Sequence, residues 1–145
     1  MTSAQTAWFA RLTFPHHEML AVNKLLSGRR VLVVEDEMLV LMIIEDMLAD
    51  LGCKSVTTAA TVDQAIALID AQTFDAAMLD MNLNGKKTDL VAASLAARGV
   101  PFIFCTGNNG HSMWDDFRDR TVLRKPFKDE ELAEIFTQLI LSPVN

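Results

Sequence analysis

The chain has 145 residues, the length of one compact domain, and half of them are hydrophobic while 22% are charged. This composition excludes an intrinsically disordered chain and allows a sizeable core. The 19 acidic residues outnumber the 13 lysines and arginines, which gives a net charge of −6. We therefore expect no nucleic-acid partner, because phosphate contacts need a basic surface.

Cysteine usage and targeting signals restrict the class of protein further. The two cysteines, Cys53 and Cys105, have the spacing of neither a metal site nor a disulfide framework. Each apolar run is shorter than the about 18 residues that a membrane-spanning helix needs. The N-terminus lacks the basic and apolar regions of a signal peptide. The sequence predicts a cytoplasmic protein that has no membrane partner.

Residues 1–28 form an N-terminal extension whose pattern differs from the rest of the chain. Pro15 interrupts any helix there, and the apolar residues after it recur at near-helical spacing up to Gly28, which suits a helix end. The extension is either dispensable or a short amphipathic helix that docks on the domain or on a partner. Residues 29–141 are predicted to form the domain, and residues 142–145 a tail.

Strand and helix patterns alternate five times after the extension. Short apolar and β-branched runs predict the strands, and longer amphipathic or alanine-rich stretches predict the helices. The predicted strands are Val31–Val34, Lys54–Ala59, Ala76–Leu79, Phe102–Cys105 and Thr121–Leu123. The predicted helices are Met38–Leu51, one capped by Thr61 and ending at Leu68 or Ile69, Thr88–Arg98, the weak segment Asn108–Asp119, and one capped by Asp129. This alternation predicts an α/β fold with a doubly wound five-stranded parallel sheet and helices on both faces.

Two further apolar features are interpreted first as core. This interpretation covers the eight methionines and the helix Met38–Leu51, for which a partner-binding face is the alternative. Cys105 is interpreted as a small core residue. The three histidines are not spaced for a metal, so they are interpreted as surface residues.

The residues that follow each strand are informative, because doubly wound sheets bind ligands beyond the carboxyl ends of their strands. The first predicted strand runs into the acidic stretch Glu35–Glu37, and the third runs into Asp80. Thr106 follows the fourth strand, and Lys125 follows the fifth. Since these strand ends meet at one edge of a parallel sheet, we expect the four sets of side chains to converge.

The converging residue types suit phosphoryl chemistry. Crowded carboxylates repel one another and favour a hard divalent cation, and Mg2+ needs only one or two of them because it retains water ligands. A carboxylate can also attack phosphorus and form an aspartyl phosphate. A cation, a lysine and a hydroxyl then neutralise the phosphoryl oxygens. Asp80, Asp36, Lys125 and Thr106 supply these groups.

In this order at strand ends, the motifs resemble the receiver domain of two-component response regulators, over about residues 29–141. The matching stretches read Val-Val-Glu-Asp-Glu, Met-Leu-Asp-Met-Asn-Leu-Asn-Gly, Phe-Cys-Thr-Gly and Lys-Pro-Phe. The resemblance implies a flavodoxin-like receiver fold with Mg2+ as cofactor, and a signalling domain rather than an enzyme. It also implies a sensor histidine kinase or histidine phosphotransfer protein as phosphodonor, and a downstream protein that the sequence does not identify.

The resemblance assigns the acidic residues position by position. Asp80 matches the phosphoacceptor, and Glu35 and Asp36 match the acidic pair that holds Mg2+. Asn82 matches the position that lends a backbone carbonyl to the metal. Glu37 is interpreted as favouring the N-terminus of the following helix rather than as a ligand.

The other two site residues match the later motifs of the family. Thr106 matches the hydroxyl that moves toward the phosphoryl group, and Lys125 matches the lysine that pairs with phosphate. The resemblance implies a cis bond between Lys125 and Pro126.

Two departures from the family pattern concern how the signal is read. The stretch from Pro101 resembles a subgroup motif, Pro-Phe-x-Phe-Ala-Thr-Gly-Tyr, but Cys105 replaces its Ala and Asn108 its Tyr. Most receivers carry an aromatic residue three positions before the lysine, where this chain has Val122. We therefore expect the segment Asn108–Asp119, rather than an aromatic rotation, to carry the signal.

Two alternative functions fit the sequence less well. A phosphatase of the haloacid dehalogenase kind needs a second acid two residues after its nucleophile, where this chain has Asn82, and 145 residues leave no room for a cap domain. A pseudo-receiver that binds partners without phosphorylation normally lacks part of the acidic pocket or the lysine. Only residues 142–145 follow the last predicted helix, so a stand-alone receiver is expected.

Overall fold

The structure is a computed structural model, and it describes residues 26–107 and 120–141. Its strands are β1 (Arg30–Val34), β2 (Ser55–Ala59), β3 (Ala76–Asp80), β4 (Asn82–Leu83), β5 (Lys86–Lys87), β6 (Phe102–Thr106) and β7 (Val122–Arg124). Its helices are α1 (Met38–Asp50), α2 (Val62–Ala71), α3 (Asp89–Ala97) and α4 (Asp129–Leu141). Each predicted element in these ranges is present, with ends that differ by at most three residues. The predicted signal segment Asn108–Asp119, the tail and most of the extension lie outside the described residues.

The main sheet has five parallel strands in the order β2-β1-β3-β6-β7. β1 pairs with β2 from Arg30↔Ser55 and with β3 from Val31↔Ala76, so the chain crosses from one side of β1 to the other. This order reverses direction between β1 and β3, which is where doubly wound sheets bind their ligands. The predicted flavodoxin-like fold is confirmed.

Two layers of core cover the two faces of the sheet, because alternate strand residues point to opposite sides. One cluster joins Leu32, Leu79 and Phe104 to α2 and α3, and the other joins Val33, Met78 and Ile103 to α1 and α4. β3 and β6 are buried at every position, as central parallel strands must be. Leu26, at the start of the described chain, is fully buried in the second cluster.

Helix starts are set by local side chains. The hydroxyl of Thr61 accepts a hydrogen bond from the Gln64 N–H at 3.1 Å, which confirms the predicted cap of α2. The predicted cap of the last helix is wrong by one position. Asp129 is the first residue of α4, and the Glu131 carboxylate accepts from the Lys128 N–H at 2.8 Å.

The interpretation of α1 as core is wrong for the solvent-facing side of its first two turns. Leu41, Ile44 and Leu48 are buried against the sheet. The solvent-facing residues of these two turns are nevertheless apolar, and each of them is more than half exposed. These residues are Met38 (67%), Leu39 (76%), Met42 (52%) and Ile43 (52%). We call these four residues the α1 apolar face. Over residues 26–107 and 120–141, none of the helices has the length and hydropathy to cross a membrane.

Candidate phosphoacceptor site

The acidic residues lie at the carboxyl ends of β1 and β3, where the sheet ladder continues past the strands. The Glu35 N–H donates to the Ala59 carbonyl at 3.0 Å, and the Met81 N–H donates to the Cys105 carbonyl at 3.1 Å. These bonds fix the backbone at Glu35 and directly after Asp80. The predicted convergence of strand ends therefore occurs in a rigid part of the sheet.

Glu35, Asp36 and Asp80 form a compact carboxylate cluster. One oxygen of each lies within 4.8 Å of the others. Glu35 is 1% exposed and Asp80 is 8% exposed, so their charges are held away from bulk water. Three hard oxygen donors at this spacing fit Mg2+, which binds carboxylates and keeps some of its waters.

Lys125 provides the positive charge that opposes these acids. Its Nζ lies 2.8 Å from Glu35 Oε1, 2.9 Å from Glu37 Oε1 and 3.0 Å from Asp80 Oδ2. A lysine ammonium has three N–H donors, and three carboxylates accept them here. The sequence predicts that Lys125 and Asp80 converge, but it gives no indication of the contact with Glu37. The Glu37 carboxylate accepts from Lys125 and makes no hydrogen bond to the backbone N–H groups of α1.

The pKa values of this group reflect burial and pairing. Burial raises the pKa of Glu35, and the hydrogen bonds from Lys125 and the Glu37 N–H offset this only in part. Burial acts against the charged form of Lys125, but the hydrogen bonds to Glu35, Glu37 and Asp80 outweigh it and raise the pKa of Lys125. Lys125 therefore stays charged at neutral pH.

Asp80 is held by contacts at both its side chain and its backbone. The Asn82 N–H donates to Asp80 Oδ1 at 3.1 Å, and Lys125 Nζ donates to Asp80 Oδ2. The fully buried Thr88 donates its hydroxyl to the Asp80 carbonyl at 2.7 Å. The sequence pattern predicts Thr88 as the start of a helix but does not indicate this hydrogen bond.

A short hairpin, β4–β5, links Asp36 to the segment after Asp80. Asn84 and Gly85 both have positive φ, at 51° and 85°, which a two-residue hairpin turn requires. The Asn84 N–H donates to Asp36 Oδ2 at 3.0 Å, and the Gly85 N–H donates to the side chain of Asn82 at 2.8 Å. Among the residues that the structure describes, no donor lies within hydrogen-bond distance of Asp36 Oδ1. The hairpin therefore orients this carboxylate and leaves one oxygen for a ligand.

Thr106 and Lys125 lie on neighbouring strand ends. The Lys125 N–H donates to the Thr106 carbonyl at 2.9 Å, and the bond from Lys125 to Pro126 is cis, as the resemblance implied. Thr106 is 8% exposed and follows Cys105, which pairs with Asp80 across β3 and β6. Burial raises the pKa of Cys105 to about 12, so its thiol stays protonated and is no nucleophile at neutral pH.

Comparison with known proteins identifies a family and several solved structures that the chain resembles. Residues 31–137 match the family model described as response regulator receiver domain. The solution structure of SdrG from Sphingomonas melonis Fr1 is 43% identical, with a TM-score of 0.69, and the match covers 77% of this chain and 97% of SdrG. The BeF3-activated conformation of SdrG from Pseudomonas melonis Fr1 is 42% identical, with a TM-score of 0.68, and the match covers 79% and 98% of the two chains.

A third similar structure contains a metal. It is the receiver domain of the sensor histidine kinase PA1611 from Pseudomonas aeruginosa PAO1, with a magnesium ion coordinated in the active site cleft. It is 31% identical, with a TM-score of 0.67, and the match covers 80% of this chain and all of that domain. The comparison with curated protein sequences gave no match.

Proposed function

The chain belongs to the response regulator receiver domain family of two-component systems, and we propose that it accepts a phosphoryl group on Asp80 in a Mg2+-dependent reaction. Receiver domains are phosphorylated, interact with histidine kinases or phosphotransfer proteins, and switch partner binding in response. Here the phosphodonor is proposed to be a sensor histidine kinase or a histidine phosphotransfer protein. The result would be altered binding of a downstream protein or onward relay of the phosphate.

The contact between Asp80 and Lys125 is the main support for this proposal. Asp80 is 8% exposed at the end of its strand, and the Lys125 ammonium lies 3.0 Å from one of its oxygens. The carboxylate can therefore act as the nucleophile, and the adjacent positive charge can stabilise the phosphoryl group that it acquires. Glu35 and Asp36 lie within 4.8 Å of it. Their negative charge would repel an incoming phosphoryl group unless a cation neutralised it.

In the proposed reaction an Asp80 oxygen attacks phosphorus, and the bond from phosphorus to the donor histidine nitrogen breaks. The electron pair of that bond goes to the imidazole nitrogen, and Asp80 becomes an acyl phosphate. Lys125 donates to one oxygen of the transferred group, and the Thr106 hydroxyl donates to another. The Thr88 hydroxyl and the Asn82 N–H keep the Asp80 backbone and carboxylate in place during the attack.

The chain's own residues would hold the metal. Glu35, Asp36 and Asp80 are the proposed carboxylate ligands, with the backbone carbonyl of Asn82 as a further ligand. Bound Mg2+ would supply positive charge for the phosphoryl oxygens. The hairpin contributes by fixing Asp36 through the hydrogen bond from the Asn84 N–H to its Oδ2.

The α1 apolar face supports a protein partner at this site. It begins at Met38, directly after Glu37, whose carboxylate contacts Lys125, so it borders the residues around Asp80. Its four side chains are each more than half exposed, and a contiguous apolar patch beside a reactive site is typical of a protein-binding surface. We propose that the phosphodonor protein covers this face while its histidine reaches Asp80.

We also propose that the chain is a signalling domain rather than an enzyme that turns over a separate substrate. The position two residues after Asp80 is Asn82, whose amide oxygen accepts from the Gly85 N–H at 2.8 Å. Asn82 has no carboxyl group to act as a general acid toward a leaving group. The phosphoryl group would therefore remain on Asp80 until water or a partner removes it.

Intact-mass measurement tests the proposed reaction. Incubation with acetyl phosphate and Mg2+ should add one phosphoryl group to the full chain, and chelation of the metal should prevent it. Hydroxylamine should then remove the added mass, because it cleaves acyl phosphates. A chain that gains no phosphoryl group under these conditions, or gains one that resists hydroxylamine, would contradict the proposal.

A further inference from the structure

We propose that Glu37 competes with the phosphoryl group for Lys125, and thereby limits the fraction of the protein that carries phosphate. The inference rests on the proposed phosphorylation of Asp80. Glu37 would act through Lys125, without touching the phosphoryl group, and is therefore a positioning residue.

The first observation is the saturation of the Lys125 ammonium. Its three N–H donors point to Glu35, Glu37 and Asp80 at 2.8 to 3.0 Å. An ammonium has no further donor to offer. A phosphoryl group on Asp80 brings new anionic oxygens that also need Lys125, so the lysine must redistribute its hydrogen bonds when the phosphate arrives.

The second observation is the unequal burial of the three carboxylates. The side chains of Glu35 and Asp80 are 1% and 10% exposed, whereas that of Glu37 is 62% exposed. A buried carboxylate that loses its donor pays a desolvation penalty, but an exposed one exchanges the donor for water. Glu37 is therefore the partner that Lys125 releases most readily.

The third point concerns charge. While Glu37 remains on Lys125, its carboxylate and the phosphoryl oxygens share one ammonium, and like charges that close together repel. Glu37 thus favours the state without phosphate in two ways, by occupying a donor and by repelling the incoming anion. A single partly exposed ion pair of this kind changes an equilibrium by about two- to fivefold.

The test is the affinity of the full chain for beryllofluoride, a phosphoryl mimic, at saturating Mg2+. Glu37→Gln keeps the size of the side chain and removes its charge, so beryllofluoride should bind about two- to fivefold more tightly. Glu45→Gln removes the same charge from α1 at a position without contact to Lys125 in the described chain, and it should leave the affinity unchanged. Unchanged or weaker binding by Glu37→Gln would overturn the inference.

A second measurement separates competition from a general charge effect. The NMR chemical shift of the Lys125 Nζ, measured without metal, should change in Glu37→Gln and stay constant in Glu45→Gln, because only the first variant removes an anion that Lys125 contacts. An equal response in both variants would contradict the competition. If the wild-type chain does not bind beryllofluoride, the proposed function itself fails and this inference with it. If the wild type binds and Glu37→Gln binds no better, the inference alone fails.

Discussion

The Thr88 hydroxyl donates a hydrogen bond to the backbone carbonyl of Asp80, with 2.7 Å between the two oxygens. Thr88 is fully buried at the start of α3, eight residues after Asp80. This bond joins the end of β3 to the helix that follows the hairpin. It therefore holds the backbone of the proposed phosphoacceptor.

Thr88→Val should lower the free energy of unfolding by about 1–3 kcal/mol, because a buried carbonyl loses its donor while the side-chain shape is kept. Urea denaturation measures this change. Thr88→Ser retains the hydroxyl and should stay closer to wild type, and Thr73→Val, at an exposed position, should have little effect. Equal losses in the serine and valine variants would show that packing of the methyl group, rather than the hydrogen bond, is responsible.

Asp36→Ala should weaken Mg2+ binding by about tenfold or more, since it removes one carboxylate from a cluster within 4.8 Å. Titration calorimetry on the full chain measures the affinity. Asp46→Ala removes the same charge from an exposed position on α1 and serves as the matched control. Equal affinity in wild type and Asp36→Ala would exclude Asp36 as a ligand.

Gly85→Ala should weaken Mg2+ binding while leaving the phosphorylation rate at saturating Mg2+ close to wild type. Gly85 has a φ of +85°, which costs an alanine roughly 1–2 kcal/mol, so the turn that orients Asp36 would distort. Gly99→Ala is the control, because Gly99 has a φ of +70° at the distant end of α3. A Cβ added at either glycine has no neighbouring atom within 4 Å, so a steric clash cannot cause a difference in Mg2+ affinity between the two variants. Equal Mg2+ affinities in the two variants would exclude a role of the hairpin in metal binding.

Cys105→Ala should make stability less sensitive to alkaline pH. Burial raises the pKa of the Cys105 thiol from 9.0 to about 12, so above pH 9 the unfolded chain releases a proton that the folded chain keeps. The contribution of this thiol to the free energy of unfolding is complete below pH 9 and is lost as the pH rises toward 12. Near pH 10 the loss amounts to about 1.4 kcal/mol. Urea denaturation at pH 8 and pH 10 should therefore show a smaller decrease in Cys105→Ala than in wild type, and equal decreases would contradict this origin.

The fold and most of the site could be predicted from the sequence because each depends on local patterns. Apolar runs marked the central strands, and the residues that end them, such as Asp80, had to meet at one edge of a parallel sheet. The hairpin also had a local signal, the Asn84-Gly85 dipeptide, which the sequence analysis overlooked.

Two features had no such signal. Glu37 and Lys125 are 88 positions apart, and their contact depends on the paths of two loops that strand patterns do not fix. A partner-binding face on α1 was only an alternative interpretation, because the helix is apolar almost all round and its periodicity did not distinguish the exposed side from the buried one. The prediction that Asn108–Asp119 carries the signal remains a prediction, since that segment lies outside the described residues.

The central claim is that Asp80 is the phosphoacceptor, and intact-mass measurement of matched aspartate variants tests it most directly. With acetyl phosphate and Mg2+, wild type and Asp63→Asn, which alters an exposed aspartate of α2, should each gain one phosphoryl group. Asp80→Asn should gain none, because its amide cannot form the acyl phosphate. Phosphorylation of Asp80→Asn at a rate comparable to wild type would contradict the account.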